Sequence, residues 1–395
     1  MQILIVDDDT DMLLLLSRML HKWGFEVLTA SDGSEAWSIL RNGSVNFVIS
    51  DWMMPLMDGI ELCKRVRRER FNRYIYFVLL TAKDEKYDLV LGMEAGADDF
   101  VVKPFNKDEL NVRIRAGERV LRLERDLAQQ NERLTEAYSL IRRDLETAAR
   151  MQLSLLPGAS MKISDFLFEW LFVPCSFVAG DIFNFFPLDE DHIGFYMLDV
   201  AGHGVSAAML SVSLSRILTP SAQAADFLKQ YVPAPPHYVI TPPARVLSEL
   251  NRRFVKESDA MQHFTMIYGV IDTTAHRLVL SQAGHPSPIF LRRGEKASVV
   301  GDGGYPVGMM PDISYEEEVL ELKPGDRLCI YSDGVTDCFN ADQRQFSQEK
   351  LVAYLEQRRH LPLRQILPDL KATLDQWTGG RDFHDDVTLL AIQRE

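Results

Sequence analysis

The chain has 395 residues, of which 46% are hydrophobic and 25% charged, and this composition is typical of globular proteins. Its length predicts two or three domains. The formal net charge of -14 opposes nonspecific attraction to nucleic acid and to anionic lipid. We therefore expect neither a nucleic-acid-binding output nor a membrane-surface role.

The four cysteines are spread along the chain without the paired spacing of a zinc site or the density of a disulfide scaffold. No apolar run approaches the roughly 20 residues that span a bilayer, and Asp7 interrupts the N-terminus before a signal-peptide core could form. These features predict a cytoplasmic protein that has no membrane partner.

The first segment, residues 1–117, alternates short apolar runs with helical patterns. The runs cover residues 3–6, 45–50, 74–80 and 100–102, and a helix begins near residue 9. Such alternation predicts a doubly wound α/β domain, in which helices cover a parallel sheet.

Charged and hydroxyl side chains occur where these predicted strands end. Asp7 and Asp8 follow the first strand, Asp51 the third, Thr81 the fourth and Lys103 the fifth. Because the carboxyl ends of parallel strands meet at one edge of a sheet, we expect these groups to converge. Three carboxylates suit Mg²⁺, Asp51 can act as a nucleophile, and Lys103 can neutralise phosphoryl oxygens.

With these motifs, residues 1–117 resemble the receiver domain of two-component systems, whose phosphodonor is a sensor histidine kinase or a phosphotransfer protein. The alternative, strand-end aspartates that merely cap helices, does not account for the joint order of the motifs. The resemblance implies Mg²⁺ ligands at Asp7, Asp8, Asp51 and the Met53 carbonyl, a phosphoacceptor at Asp51, a switch hydroxyl at Thr81, an aromatic switch residue at Phe100, and a phosphoryl-binding cation at Lys103.

The second segment, residues 118–156, is rich in Arg, Glu, Gln and Leu and lacks Gly and Pro. Its heptad pattern predicts a coiled coil and therefore a homodimer. The alternative is a single amphipathic helix packed on its own domain. One predicted seam contains Val120, Leu127, Leu134, Ile141, Ala148 and Leu155, and the other contains Asn131, Tyr138, Leu145 and Gln152.

The third segment, residues 157–395, consists of apolar runs bounded by Gly, Pro and Asp, with helices predicted near residues 206–218, 243–257 and 347–358. This pattern predicts a layered α+β domain. Residues 219–243 contain several prolines and few periodic apolar positions, so we expect a long surface loop there.

Four acidic clusters in the third segment lie beside glycine or at the end of an apolar run. They contain Asp181, Asp199, Asp333, and the adjacent pair Asp385 and Asp386. Carboxylate oxygens suit Mg²⁺ or Mn²⁺, and a pair of such ions can activate a bridging water for attack on a phosphate ester. The alternative is a set of turn-forming or calcium-binding aspartates without catalysis.

These clusters, together with the Gln-Leu-Ser-Leu-Leu-Pro lead-in at 152–157 and the Gln-Ala-Gly-His-Pro motif at 282–286, resemble the PPM family of metal-dependent (type 2C) serine/threonine phosphatases. The similarity is to the bacterial branch that contains the stage II sporulation phosphatase and the stress-response sigma-factor regulators. It implies a PPM fold over residues 157–395 and, as substrate, a phosphorylated STAS-type anti-sigma-factor antagonist. The site that it implies contains two Mn²⁺ or Mg²⁺ ions, Asp181, Asp199, the Val200 carbonyl, Asp333, and Asp385 or Asp386.

Ala179 and Asn184 depart from the family pattern, in which a Gly and an Asp are frequent. His203 and His285 are interpreted as loop-orienting residues rather than ligands, because these cations prefer oxygen. The sequence thus predicts a response regulator in which phosphorylation of Asp51 controls a protein phosphatase, with the sign of control open. The alternative is a catalytically silent adaptor that binds an anti-sigma or STAS partner.

Overall fold

The computed structural model describes residues 1–69, 71–82, 86–158, 160–202, 204–219, 225–257 and 263–395. It contains two compact units, residues 1–139 and 140–395, and one helix spans the boundary between them. Within the described ranges, every helix is too short or too polar to cross a bilayer.

The first unit contains a five-stranded parallel sheet in the order β2-β1-β3-β4-β5. This confirms the doubly wound α/β prediction for the N-terminal segment. Its elements are β1 Gln2–Val6, α1 Thr10–Lys22, β2 Glu26–Ala30, α2 Gly33–Asn42, β3 Phe47–Asp51, α3 Gly59–Arg68, β4 Tyr76–Thr81, α4 Lys86–Glu94 and β5 Asp99–Val102.

The alternation of side chains along β1 separates two cores, one on each face of the sheet. Ile3 and Ile5 pack with residues of α1, whereas Leu4 and Val6 pack with residues of α2 and α3. At the carboxyl edge of the sheet, Asp9 caps α1 by accepting hydrogen bonds from the amides of its first turn. Because the strands are parallel, the residues that end or follow them, such as Asp7, Asp51 and Lys103, lie at this same edge.

A 47-residue helix, α5 Lys107–Leu153, follows β5. At 1.5 Å per residue it is about 70 Å long. Leu110, Ile114 and Leu121 lie in the core of the first unit, and residues 122–144 are exposed throughout. The helix thus begins inside the segment assigned to the receiver domain and contains most of the predicted coiled-coil segment.

The end of the heptad prediction is wrong. Leu155 lies beyond the last residue of α5, and Gln152 is only 4% exposed because it packs inside the second unit. Apolar seam residues upstream remain exposed on this chain: Leu127, Leu134, Tyr138 and Ile141.

In the described residues of the second unit, the two large antiparallel sheets have five strands in the order β16-β13-β12-β9-β8 and six in the order β15-β14-β17-β18-β7-β6, and β10 and β11 form a separate two-stranded sheet. Its strands are β6 Ser160–Ile163, β7 Phe166–Val173, β8 Ile182–Pro187, β9 His192–Val200, β10 Lys229–Tyr231, β11 Tyr238–Ile240, β12 Phe264–Asp272, β13 Arg277–Ala283, β14 Ile289–Leu291, β15 Ser298–Val299, β16 Glu318–Glu321, β17 Arg327–Tyr331 and β18 Val387–Arg394. Its helices after α5 are α6 Val205–Leu218, α7 Ala225–Leu228, α8 Pro243–Glu257, α9 Asp333–Thr336, α10 Gln348–Gln357 and α11 Leu363–Thr378.

The two sheets stack face to face between outer helices, which confirms the layered α+β prediction. Phe168 of β7 and Phe185 of β8 stack at 4.3 Å between ring centroids and join the sheets. On β17, Ile330 belongs to this inner core, whereas Cys329 and Tyr331 pack with residues of α10 and α11. The period-2 alternation of the strands thus sorts their side chains between two cores.

The predicted surface loop at 219–243 is wrong as a description of the whole segment. Its described part contains α7 and the β10–β11 hairpin, and Phe227 and Leu228 are buried. The Tyr238 hydroxyl donates to an Asp189 carboxylate oxygen at 3.1 Å. The prolines in the connection between β10 and β11 concealed these strands because they interrupt the alternating pattern.

Gly269 of β12 makes the antiparallel pairing with β9 sterically possible. A Cβ at this position would lie 2.2 Å from the Phe195 ring, which is fully buried. We expect Gly269→Ala to lower the free energy of unfolding by about 1–3 kcal/mol through overpacking. Urea denaturation measures this loss, and Gly158→Ala is the control because its nearest neighbouring atom lies 4.0 Å from the added Cβ. Equal midpoints for the two variants would contradict the assigned pairing.

Candidate active site

Four carboxylates meet where the two stacked sheets end, and we call Asp181, Asp199, Asp333 and Asp385 the acidic site. Asp181 immediately precedes β8, and Asp199 is the penultimate residue of β9, the strand that pairs with β8. Asp333 begins α9, two residues after the end of β17, and Asp385 lies two residues before β18, which pairs with β17. Each sheet therefore contributes two of the carboxylates.

The acidic site concentrates negative charge in a buried place. Burial, followed by repulsion from Asp333 and Asp385, raises the pKa of Asp199 to about 7. Burial and the charge of Asp385 raise the pKa of Asp333 to about 6. Burial and the charges of Asp199 and Asp386 raise the pKa of Asp181 well above its usual range. A bound cation would relieve this repulsion, so the raised pKa values indicate a cation site.

The donor atoms fit a hard divalent cation. The Oδ1 atom of Asp333 is buried and has no hydrogen-bond partner, although buried polar atoms in proteins are normally paired. A carboxylate oxygen left unpaired among other carboxylates suits Mg²⁺ or Mn²⁺. The described residues at this site thus bring together carboxylate oxygens that a hard divalent cation can accept as ligands.

Asp386 has a different environment from its neighbour Asp385. Its Oδ1 accepts a hydrogen bond from the Cys175 amide at 2.8 Å, and its Oδ2 accepts from the amides of Gly180 at 2.7 Å and Asp181 at 3.4 Å. Asp385 is exposed, and ligand atoms of Asp385, Asp386 and Cys175 lie within 4.8 Å of one another. Asp386 therefore links the segment that precedes β18 to the segment that precedes β8, and both segments contain residues of the acidic site.

Several supports of Asp181 were missed by the sequence reasoning. The Thr388 hydroxyl donates to Asp181 Oδ2 at 2.5 Å. The side-chain amide of Gln152 pairs with the backbone of Ala179. Thr388 stands two residues after Asp386, and Gln152 lies in the lead-in motif, so both had a signal in the sequence. The Val200 carbonyl oxygen lies 3.1 Å from the place that a Cβ on Gly180 would occupy.

The two histidines differ in what the structure describes. His285 is 1% exposed, its Nδ1 lies 2.8 Å from the Thr265 hydroxyl, and burial lowers the pKa of its imidazole to about 3. It is therefore neutral at physiological pH, in agreement with a structural role. His203 lies outside the described residues.

A second acidic group occupies the carboxyl edge of the parallel sheet, as the strand-end motifs predicted, and we call Asp7, Asp8, Asp51 and Lys103 the receiver site. Ligand atoms of the three aspartates lie within 4.8 Å of one another. The Lys103 ammonium lies 2.6 Å from Asp51 Oδ1 and 2.9 Å from Asp7 Oδ2. The three carboxylates fit a Mg²⁺ ion.

Burial raises the pKa of Asp51, although the hydrogen bond from Lys103 opposes this shift. Burial alone would lower the pKa of Lys103, but hydrogen bonds to Asp51 and Asp7 raise it overall, so the ammonium stays charged. Thr81 is buried at the end of β4, Met53 is 66% exposed, and the half-buried ring of Phe100 lies under a guanidinium 5.7 Å away. The carboxylates and Lys103 form the compact part of the site.

Comparison with known proteins agrees with this two-part description. The family model for stage II sporulation protein E (SpoIIE) matches residues 189–395, more than half of the chain. The chain belongs to the SpoIIE family. The model for the response regulator receiver domain matches residues 3–115. This protein thus consists of a receiver domain fused to a SpoIIE-type PP2C phosphatase domain. Phosphatases of this family generally use Mg²⁺ or Mn²⁺.

Among solved structures, the SiaA-PP2C domain of Pseudomonas aeruginosa aligns with a TM-score of 0.55 and 19% identity, covering 66% of this chain and 99% of that one. It shows the fold of the SpoIIE-type domain. Among curated proteins, the alkaline phosphatase synthesis transcriptional regulatory protein PhoP of Bacillus subtilis (strain 168) is 44% identical over 115 residues, 29% of this chain and 47% of PhoP. A probable transcriptional regulator, ycf27, of Cyanophora paradoxa is 43% identical over 115 residues, also 29% of this chain and 47% of the relative. The chain spans about half the length of these curated relatives.

The raised pKa values predict that Mn²⁺ binding at the acidic site releases protons. Cations require deprotonated carboxylates, so the apparent affinity should fall as the pH is lowered from about 8 to about 5.5. Calorimetric titration in buffers of different ionisation enthalpy counts the protons, and an Asp51→Asn background weakens cation binding at the receiver site. Asp333→Asn in that background should release fewer protons. An affinity that is independent of pH would contradict these protonation states.

Proposed function

We propose that this protein is a response regulator in which phosphorylation of Asp51 controls a metal-dependent protein serine/threonine phosphatase. The observation that carries the proposal is the convergence of four carboxylates from two sheets, with a buried Asp333 oxygen left unpaired, in a domain of the SpoIIE family. The raised pKa values of Asp181, Asp199 and Asp333 support a cation site rather than a set of turn residues.

We assign Asp181, Asp199, Asp333, Asp385 and the Val200 carbonyl as ligands of two Mn²⁺ or Mg²⁺ ions. Such ions, when bound, supply an activated water and neutralise charge on a phosphate ester. The protein orients the ligands through its own contacts: Thr388 fixes one oxygen of Asp181, and Asp386 fixes the backbone on which Asp181 lies. Because both Asp386 oxygens already accept amide hydrogen bonds, we assign it a positioning role.

The leading substrate is a phosphorylated STAS-type antagonist of an anti-sigma factor. Membership of the SpoIIE family supports this choice. The negative net charge of the chain also disfavours a DNA-binding output, although two of the receiver relatives are described as transcriptional regulators.

Input comes from a sensor histidine kinase or a phosphotransfer protein. Asp51 is 16% exposed, which leaves its carboxylate accessible to a phosphodonor, and Lys103 stands beside it to neutralise the phosphoryl oxygens. Mg²⁺ at Asp7, Asp8, Asp51 and the Met53 carbonyl supplies the remaining positive charge when bound. Thr81 and Phe100 are the proposed switch residues that respond to the phosphoryl group.

A catalytically silent adaptor is the second candidate. Asn184 favours it, because the sequence resemblance leads us to expect an Asp there, and its Oδ1 accepts a hydrogen bond from the Phe185 amide. The complete acidic site favours the enzyme. The two candidates share a fold and differ only in turnover.

The phosphatase proposal predicts Mn²⁺-dependent hydrolysis of an aryl phosphate by the full-length protein. Asp199→Asn should lower the rate by at least about a hundredfold, since changes even to residues behind the ligands cost 10–100-fold in such sites. The exposed Asp342→Asn is the matched control. A small acyl phosphate should change the rate of the wild type but not of Asp51→Ala. No metal-dependent hydrolysis of the aryl phosphate or of a phosphorylated STAS-type protein would establish the adaptor.

The exposed heptad residues of α5 support a homodimer through the coiled coil, because large apolar side chains of the seam would otherwise face water. Light scattering should give a mass of twice 45.0 kDa for the wild type. The double change Leu127→Glu and Leu134→Glu should give the monomer mass, because it places carboxylates in the seam. Gln129→Glu is the control on the opposite face. A monomeric wild type would rule out the coiled coil.

A further inference from the structure

We propose that Gln152, in the last turn of α5, is a positioning residue that couples the long helix to Asp181. This inference rests on the proposed function and names the contact through which its control would reach the acidic site. In its described hydrogen bonds Gln152 contacts no carboxylate of the acidic site, and it acts on Asp181 through the backbone of Ala179.

The side-chain amide of Gln152 makes a two-point contact with one residue. Its Nε2 donates to the Ala179 carbonyl at 2.7 Å, and its Oε1 accepts from the Ala179 amide at 2.9 Å. Nε2 also lies 3.4 Å from the hydroxyl of Ser211 on α6. Gln152 is 4% exposed and Ala179 is fully buried, so water does not replace these bonds in the folded domain.

The residue that Gln152 holds is two positions before Asp181. The next amides, those of Gly180 and Asp181, are held by the carboxylate of Asp386. The segment 179–181 is therefore fixed from two sides, by the six-stranded sheet through Asp386 and by α5 through Gln152. Of these two supports, only Gln152 belongs to the helix that also packs in the receiver unit.

The helix geometry makes this contact sensitive to rotation. The neighbours Met151 and Leu153 are 66% and 47% exposed, so Gln152 is the inward-facing side chain between two outward ones. Adjacent residues differ by about 100° around a helix. A rotation of a fraction of that angle, or a shift of about 1 Å along the axis, breaks both hydrogen bonds because each atom of the rigid amide has a single partner position on Ala179.

Control of the acidic site by α5 then requires no contact between the receiver and the substrate. A change in the helix that keeps the Gln152 amide on Ala179 holds Asp181 in its ligand position. A change that withdraws the amide removes the acceptor of the Ala179 amide and leaves the Ala179 carbonyl with the longer contact from the Ser211 hydroxyl at 3.5 Å. The segment 179–181 thus has two states, one with the Gln152 amide bound to Ala179 and one without it. Both the position of the helix and the binding of cations shift the balance between these states.

The test compares wild type with Gln152→Met, which keeps the length and apolar stem but removes both hydrogen bonds. Gln152→Glu keeps an acceptor for the Ala179 amide but places an oxygen against the Ala179 carbonyl. Met151→Ala is the control from the exposed side of the same turn. Circular dichroism and the urea midpoint establish that each variant is folded.

Two measurements separate positioning from a merely structural role. Mn²⁺ titration, by calorimetry in the Asp51→Asn background, should show an affinity at least about tenfold weaker for Gln152→Met and Gln152→Glu, with KM for the aryl phosphate at saturating Mn²⁺ changed by less than about twofold. In the Asp51-containing protein, amide hydrogen exchange at residues 179–181 should respond to the acyl phosphate in wild type and Met151→Ala, but not in Gln152→Met.

Unchanged Mn²⁺ affinity in folded Gln152→Met, or the same exchange response as wild type, would overturn the role of Gln152 while leaving the phosphatase proposal intact. A wild type without metal-dependent hydrolysis would instead overturn the proposed function. In that case, Mn²⁺ affinity and exchange at 179–181 still decide whether Gln152 couples the helix to the acidic site.

Discussion

The hydrogen bonds accepted by the buried carboxylate of Asp386 are the constraint on which the acidic site depends. One oxygen holds the Cys175 amide and the other holds the amides of Gly180 and Asp181, so a residue beside β18 of one sheet fixes the segment that leads into β8 of the other. A buried carboxylate is costly unless its oxygens are satisfied, and here backbone amides satisfy them. The contact aligns the ends of the two sheets, and that alignment brings Asp181 and Asp199 to Asp333 and Asp385.

Concentrating carboxylates in this way opposes folding, because each raises the free energy of ionising the next. The raised pKa values of Asp199, about 7, and of Asp333, about 6, show that ionising these carboxyl groups is less favourable in the folded state. In the receiver site, repulsion between carboxylates is reduced by the Lys103 ammonium, which contacts both Asp7 and Asp51. The described part of the acidic site has no lysine or arginine in that role, and its oxygen atoms suit divalent cations instead.

The long helix α5 has different environments along its length. Its first turns bury Leu110 and Ile114 in the receiver core, its middle is exposed over residues 122–144, and its last turn buries Gln152 against Ala179. One continuous element thus contributes to the packing of both units.

The sequence by itself determined both fold classes, the order of the strand-end motifs and the identity of the acidic residues, because these depend on local periodicity and on residue chemistry that one strand and its loop contain. The tertiary structure decided what depends on contacts between distant segments. It showed that Gln152, which the heptad period assigned to a seam, packs inside its own domain. It showed that the oxygens of Asp386 are occupied by amides more than two hundred residues away along the chain. It also revealed the β10–β11 hairpin, since strands of three residues carry too few alternating positions to be recognised before their partners are known.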